Sequence, residues 1–167
     1  MLKKLFGKKE EAPKEISVFA PISGKLLTLE EVPDPVFSQK MMGDGIAIEP
    51  SEGKVVSPIE GEVLQVFPTK HAIGLKAQNG AEILIHIGLE TVSMQGEGFE
   101  THISEGSKVK VGDLLVTFDL NLVKEKAKSI ISPVIITNGD DLGTISKKTV
   151  QTTTAGQDVL IDITAKS

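Results

Sequence analysis

Turn signals punctuate this chain at short intervals. Ser23-Gly24, Gly43-Asp44-Gly45, Glu52-Gly53, Asn79-Gly80, Gly96-Glu97-Gly98 and Gly112-Asp113 each interrupt a brief segment rich in Ile, Val and Leu. Segments so short are poor helices and can bury an apolar side only by pairing as strands, so the pattern predicts an all-β fold. Only six Phe and no Trp or Tyr are present. The core must therefore be aliphatic, which suits β-branched side chains on a pleated surface. One stretch, Asn121 to Ile131, has helical period, with Leu122, Val123, Ala127 and Ile130 on one side and Asn121 as its cap.

An internal echo narrows the architecture. "APISGKLLTL" from Ala20 and "SPIEGEVLQV" from Ser57 share Pro-Ile-x-Gly followed by aliphatic positions, and "EGSKVKVGDLLVTFDL" reads as a turn entering a buried strand. The expected fold is an antiparallel β-sandwich of the barrel-sandwich hybrid kind, with an internally duplicated hairpin motif and one or more short helices. Its 167 residues suit one domain able to bury its own core. We place that domain at 16–167, behind a flexible basic tail at 1–15. In the tail, five Lys accompany Leu2, Leu5 and Phe6 at helical spacing. Two readings stand for it: a solvated tail, or a short amphipathic helix making weak contact with anionic lipid.

Composition removes several functions. The absence of Cys excludes disulfides, thiolate metal sites and thiol nucleophiles. A net charge of −5 and scarce aromatics argue against a nucleic-acid partner. All 18 basic residues are Lys, so an anion must be held by backbone N–H, hydroxyl, imidazole or Lys, or by an Arg brought by a partner. No apolar stretch approaches the ~20 residues of a membrane span, and the expected location is cytoplasmic.

The segment "HAIGLKAQNGAEILIHIGL" carries two of the three histidines. Asn79-Gly80 predicts a two-residue hairpin loop, which sets Gln78 opposite Ala81, Ile73 opposite His86 and His71 opposite Gly88. In that register His71 and His86 are diagonal neighbours ~7 to 8 Å apart at the backbone, on the face that Thr69 also joins. Ile83, Ile85 and Ile87 turn to the other face and supply core, while Gly88 leaves a gap beside the rings. Each histidine alone reads as structural; the pair with a hydroxyl and a glycine reads as a site. His102 sits in a charged loop and looks incidental. Neutral imidazole is a nucleophile, and a second imidazole can hydrogen-bond what the first receives. Neither a Gly-x-Ser-x-Gly nor a Gly-x-x-x-x-Gly-Lys-[Ser/Thr] motif occurs. Transient phosphoryl capture on histidine fits best.

At these residues the sequence resembles the glucose-type IIA component of the bacterial phosphoenolpyruvate-dependent sugar phosphotransferase system. "GAEILIHIGLETV", Gly80 to Val92, matches that family's signature around a histidine, and the likeness continues through "VPDPVFSQKMMGDGIAI", "TKHAIG", "GEGF", "VKVGD" and "FDL". The resemblance implies that His86 takes a phosphoryl group on Nε2 from the small phosphocarrier protein HPr and passes it to a cysteine of a IIB domain. It implies that His71 hydrogen-bonds the phosphate and that Thr69 orients His71. It maps an apolar docking collar onto Val36, Phe37, Ile46 and Phe67, with Asp34 nearby, and Gly88 and Glu90 alongside. Phe37 and Phe67 also read as core residues; Phe37, in an expected loop, is the better docking candidate. The scheme needs no cofactor and no metal, although His71 and His86 could hold one with a partner's ligand.

Two other classes compete. Biotinyl or lipoyl carriers use a similar pseudo-symmetric sandwich, but they present a modified Lys at a hairpin tip, whereas Lys70 here adjoins His71 in an expected strand. A regulatory docking protein, switched by phosphorylation, would share the site and add further targets.

Overall fold

The computed structural model describes residues 12–166; the tail expected at 1–15 lies mostly outside the described residues. In chain order the strands are β1 Glu15–Phe19, β2 Gly24–Thr28, β3 Asp44–Pro50, β4 Lys54–Val56, β5 Gly61–Val66, β6 Ala72–Ala77 and β7 Glu82–His86. They continue as β8 Phe99–Thr101, β9 Lys108–Val109, β10 Leu114–Phe118, β11 Ser132–Ile136, β12 Leu142–Lys147, β13 Thr152–Thr153 and β14 Val159–Ala165. Two short α-helices, α1 Pro35–Ser38 and α2 Leu120–Lys126, complete the set together with isolated 3-10 turns. An eight-stranded sheet, ordered β13-β2-β3-β11-β7-β6-β5-β9, packs with two three-stranded sheets, β1-β14-β12 and β4-β10-β8.

That order reads the same from either end, because the fold is duplicated about a pseudo-twofold axis. β1, β2, β3, β11, β12, β13 and β14 correspond to β4, β5, β6, β7, β8, β9 and β10. The axis falls on the paired residues Val134 and Ile85. The echoed motifs bond to each other reciprocally: Phe19 N–H donates to Pro58 O at 2.8 Å, and Val56 N–H donates to Pro21 O at 2.9 Å. Even the irregularities correspond, since the pairing skips Leu160 between β1 and β14 and Leu115 between β4 and β10.

Period-two alternation sorts the side chains. Ile73, Ile83 and Ile85 of the large sheet join Val18, Leu160 and Ile161 of one small sheet and Val55, Leu115 and Val116 of the other in the main core. Each such side chain contributes about 2 kcal/mol of apolar burial. The alternate residues Ala47, Ala72, Leu84 and Ile135 face outward. They are covered by Leu29, Val32 and Phe37 from the β2–β3 connection. That connection contains α1, a helix where a loop is expected from the sequence. The signal was present in Asp34-Pro35: Asp34 Oδ1 accepts the Val36 N–H at 3.0 Å as N-cap, and Pro35 opens the first turn. The cap of α2 also differs from the expected Asn121: Asp119 Oδ1 accepts the Leu122 N–H at 3.1 Å.

Close approach at β3 demands glycine. A Cβ on Gly45 would lie 2.0 Å from Val134 O, whereas one on Gly74 in β6 would first meet Gln65 Cβ at 3.7 Å. Gly45→Ala is expected to cost about 3 kcal/mol or more, lowering the melting temperature by roughly 6 to 12 °C, with Gly74→Ala near neutral. Calorimetry of the pair checks this; equal melting temperatures would refute the close approach.

Candidate functional site

The β6–β7 hairpin carries the histidines in a register one residue away from the expected one. Ala72 faces His86, Ile73 faces Ile85, and Ala77 bonds Ala81 across a three-residue loop. Only Gly80 takes positive φ, at 94°, so the loop is a turn with a following glycine rather than a type I′ turn. Asn79 is held by tertiary contacts instead, its Nδ2 donating to Lys14 O and Ile163 O at 3.1 Å each. In this register the strand alternation does not put the rings on one face. They meet because His71 precedes the regular strand and follows Lys70, whose φ is 63°. The two imidazole centroids are 4.8 Å apart, edge to face.

Each ring has one nitrogen committed. His86 Nδ1 is 2.8 Å from Gly88 O. A carbonyl only accepts, so Nδ1 carries the proton and Nε2 keeps its lone pair. His71 Nδ1 lies 2.6 Å from Thr69 Oγ1, which leaves its Nε2 as the free nitrogen. Phe37 packs on His86 at 5.1 Å between centroids and Phe67 on His71 at 5.8 Å.

Burial keeps both rings neutral. It pushes the His71 pKa down to about 4, with the His86 ring adding a smaller push. Burial also lowers that of His86, against the bond to Gly88 O and the charge of Asp34, which raise it. An unfolded His titrates near ~6.5, so between that pH and about 4 the unfolded chain binds a proton that folded His71 excludes. Stability is therefore greatest above pH ~6.5 and falls as pH drops towards about 4, by at most about 3 kcal/mol, which solvent screening of the partly exposed ring reduces. Urea unfolding at neutral and acid pH should show a shallower acid loss for His71→Phe than for the wild type. Parallel slopes would disprove it.

The other expected site residues are distributed unevenly. Thr69, Asp34 and Phe67 are half-buried beside the rings, while Glu90 is exposed, with φ 58° and its carboxylate 4.0 Å from Lys128 Nζ. Phe37 is not the exposed loop residue expected: it is 4% accessible, on α1. Ile46 does not belong to a surface collar either, being 4% accessible within the main core. Gly88 leaves no gap, for a Cβ there would meet Thr91 Cγ2 at 2.7 Å and Ser129 O at 3.0 Å. Exposed apolar residues besides Val36 that sequence reasoning passed over include Met41 (69%), Met42 and Val92 (56%). Met41 lies beside Val36, its N–H bonding Val36 O at 3.1 Å. Their signal was the exposed pair Met41-Met42 after α1. Two imidazoles supply two metal-ligand nitrogens, and no group of three or more His, Cys, Asp or Glu suited to a metal occurs among the described residues.

Residues 16–142 match the family described as phosphoenolpyruvate-dependent sugar phosphotransferase system, EIIA 1. The chain belongs to that family. This EIIA chain is 56% identical over 169 residues to the PTS system glucose-specific EIIA component of Halalkalibacterium halodurans, with 98% of each chain covered. It is 55% identical over 166 residues to the component of the same name from Bacillus anthracis, covering 99% of this chain and all of that one. In three dimensions it resembles the glucose permease IIA of Mycoplasma capricolum, with a TM-score of 0.79 at 41% identity over 90% of this chain and 96% of the other. The EIIA chain is thus a phosphoryl carrier component of a sugar phosphotransferase system. These matches favour neither the swinging-arm alternative nor a purely regulatory one. No helix among the described residues is long and apolar enough to cross a membrane.

Proposed function

We propose that His86 accepts a phosphoryl group on Nε2 from the phosphohistidine of HPr and passes it to a cysteine of a IIB domain. The observation that carries this reading is the bond from His86 Nδ1–H to Gly88 O. It holds the ring in the tautomer whose Nε2 is an unprotonated nucleophile without needing a separate general base. In the receiving step the P–N bond of the donor breaks as the P–Nε2 bond forms, and the donor imidazole leaves with the bonding pair. In the onward step a thiolate takes the phosphoryl group and His86 recovers its lone pair.

Transfer between two such carriers needs positioning and charge stabilisation more than activation. Thr69 Oγ1–H donating to His71 Nδ1 would select the His71 tautomer with a proton on Nε2, which then donates to a phosphoryl oxygen. Val36 and its neighbour Met41, with the half-buried Phe67 beside His71, would offer apolar surface to HPr and the IIB domain in turn, with Asp34 and Glu90 supplying charge. The whole operates as one domain over 16–167, in the cytoplasm. Relatives named for glucose make glucose the first sugar to test.

The test is incubation with phosphoenolpyruvate, enzyme I and HPr, followed by mass spectrometry. One acid-labile phosphoryl group on His86 is expected. Phosphate on another residue, or none, would overturn the assignment.

A further inference from the structure

We infer that Ser132 is a positioning residue for His86, acting through the Gly88 backbone; this rests on the phosphohistidine reading above. Ser132 begins β11 and is fully buried. Its Oγ donates to Ile130 O at 2.9 Å, so its lone pairs are free to accept, and Gly88 N–H donates to it at 3.0 Å. Thr91 Oγ1 donates to Ile87 O at 2.7 Å. The peptide plane between Ile87 and Gly88 is therefore gripped at both ends by hydroxyls, one from each side of the turn.

The next plane is gripped as well. Its N–H, on Leu89, donates to Ser129 O at 2.9 Å, and its carbonyl, on Gly88, receives His86 Nδ1–H at 2.8 Å. Gly88 sits between the planes at φ 72°, a region where glycine is soft and where nothing intrinsic to the residue fixes the torsion. The direction of the Gly88 carbonyl, and with it the tautomer of His86, depends on these restraints. Backbone groups supply the second plane's restraint; side-chain hydroxyls supply the first. Free imidazole side chains prefer the proton on Nε2, so a loosened Gly88 would let the ring revert to a form with no lone pair there.

Removing the hydroxyl in Ser132→Ala leaves the buried Gly88 N–H without an acceptor and unlocks the turn. The fraction of His86 protonated on Nδ1, read from imidazole nitrogen-15 shifts in the unphosphorylated protein, is expected to fall. Phosphoryl uptake from phospho-HPr is expected to slow by about tenfold. Ser132→Thr, which keeps the hydroxyl, should restore both, a recovery that a packing role alone would not produce. Should Ser132→Ala not fold, Ser132→Cys, close in volume with a weaker acceptor, gives the same readout. A folded Ser132→Ala or Ser132→Cys with unchanged tautomer and uptake overturns the inference. A wild-type protein that takes no phosphate on His86 instead overturns the phosphohistidine reading, since the tautomer is measured without any transfer.

Discussion

His86→Ala is expected to take up no phosphate from phospho-HPr, a loss of at least about 10⁴-fold in rate. The size follows from what the residue supplies. Among the groups near this site only Nε2 of His86 combines a lone pair with a neighbouring nitrogen locked as a donor. The other candidate, His71, has its Nδ1 engaged with Thr69 and on the proposed scheme serves as a donor. The variant should still fold, because the strand around it is anchored by Ile83, Ile85 and Ile87, all in the main core. Circular dichroism and melting should therefore stay near wild type while the phosphorylated mass disappears. Normal phosphorylation of a folded His86→Ala would remove the nucleophile from this site.

The second large effect divides the two transfer steps. His71→Ala should accept phosphate from phospho-HPr at a rate within a few-fold of wild type, yet pass it to the IIB cysteine about 10²-fold more slowly. The chain has no Arg, so few of its groups can hold the phosphoryl oxygens while the P–N bond of phospho-His86 breaks. His71 is the imidazole beside that position, 4.8 Å away ring to ring. On the proposed scheme the donor would contribute its own groups in the receiving step, so the demand on His71 would be smaller. His71→Gln, whose amide can still donate, should lie between wild type and His71→Ala. Single-turnover transfer measured separately for the two steps decides it; equal losses in both would assign His71 to ring packing alone.

Much of this was legible in the residues, though for reasons of unequal quality. Turn signals and aliphatic runs specified strands, and the Pro-Ile-x-Gly echo pointed to a duplicated fold whose halves now prove to bond reciprocally. The histidine pair was found through a register that is one residue off. Local turn chemistry at Asn79-Gly80 favoured a two-residue loop, but Asn79 ties Lys14 and Ile163, contacts distant in sequence that no local rule contains. The rings come together because a lysine, Lys70, adopts positive φ, a conformation with no composition signal in a residue of that type. Ile46, expected in the collar, belongs to the core, since strand β3 turns it inward. Met41 and Met42, just upstream, are the exposed residues. The Ser132 hydroxyl was invisible for a similar reason: Gly88 and Ser132 are 44 residues apart and meet only through the antiparallel pairing of β7 with β11.

The duplication bears on why the described residues hold one such imidazole pair and not two. Carried across the axis through Val134 and Ile85, the position of His86 falls on Ile135, and the position of His71 on Asp44. Ile135 is sealed beneath the β2–β3 connection, and Asp44 is occupied by ion pairs to Lys40 and Lys147. The same connection crosses to the other copy and lays Phe37 against His86. One half therefore carries no such imidazole pair and instead walls the site of its twin. On the proposed scheme this asymmetry means that donor and acceptor would address a single port in turn.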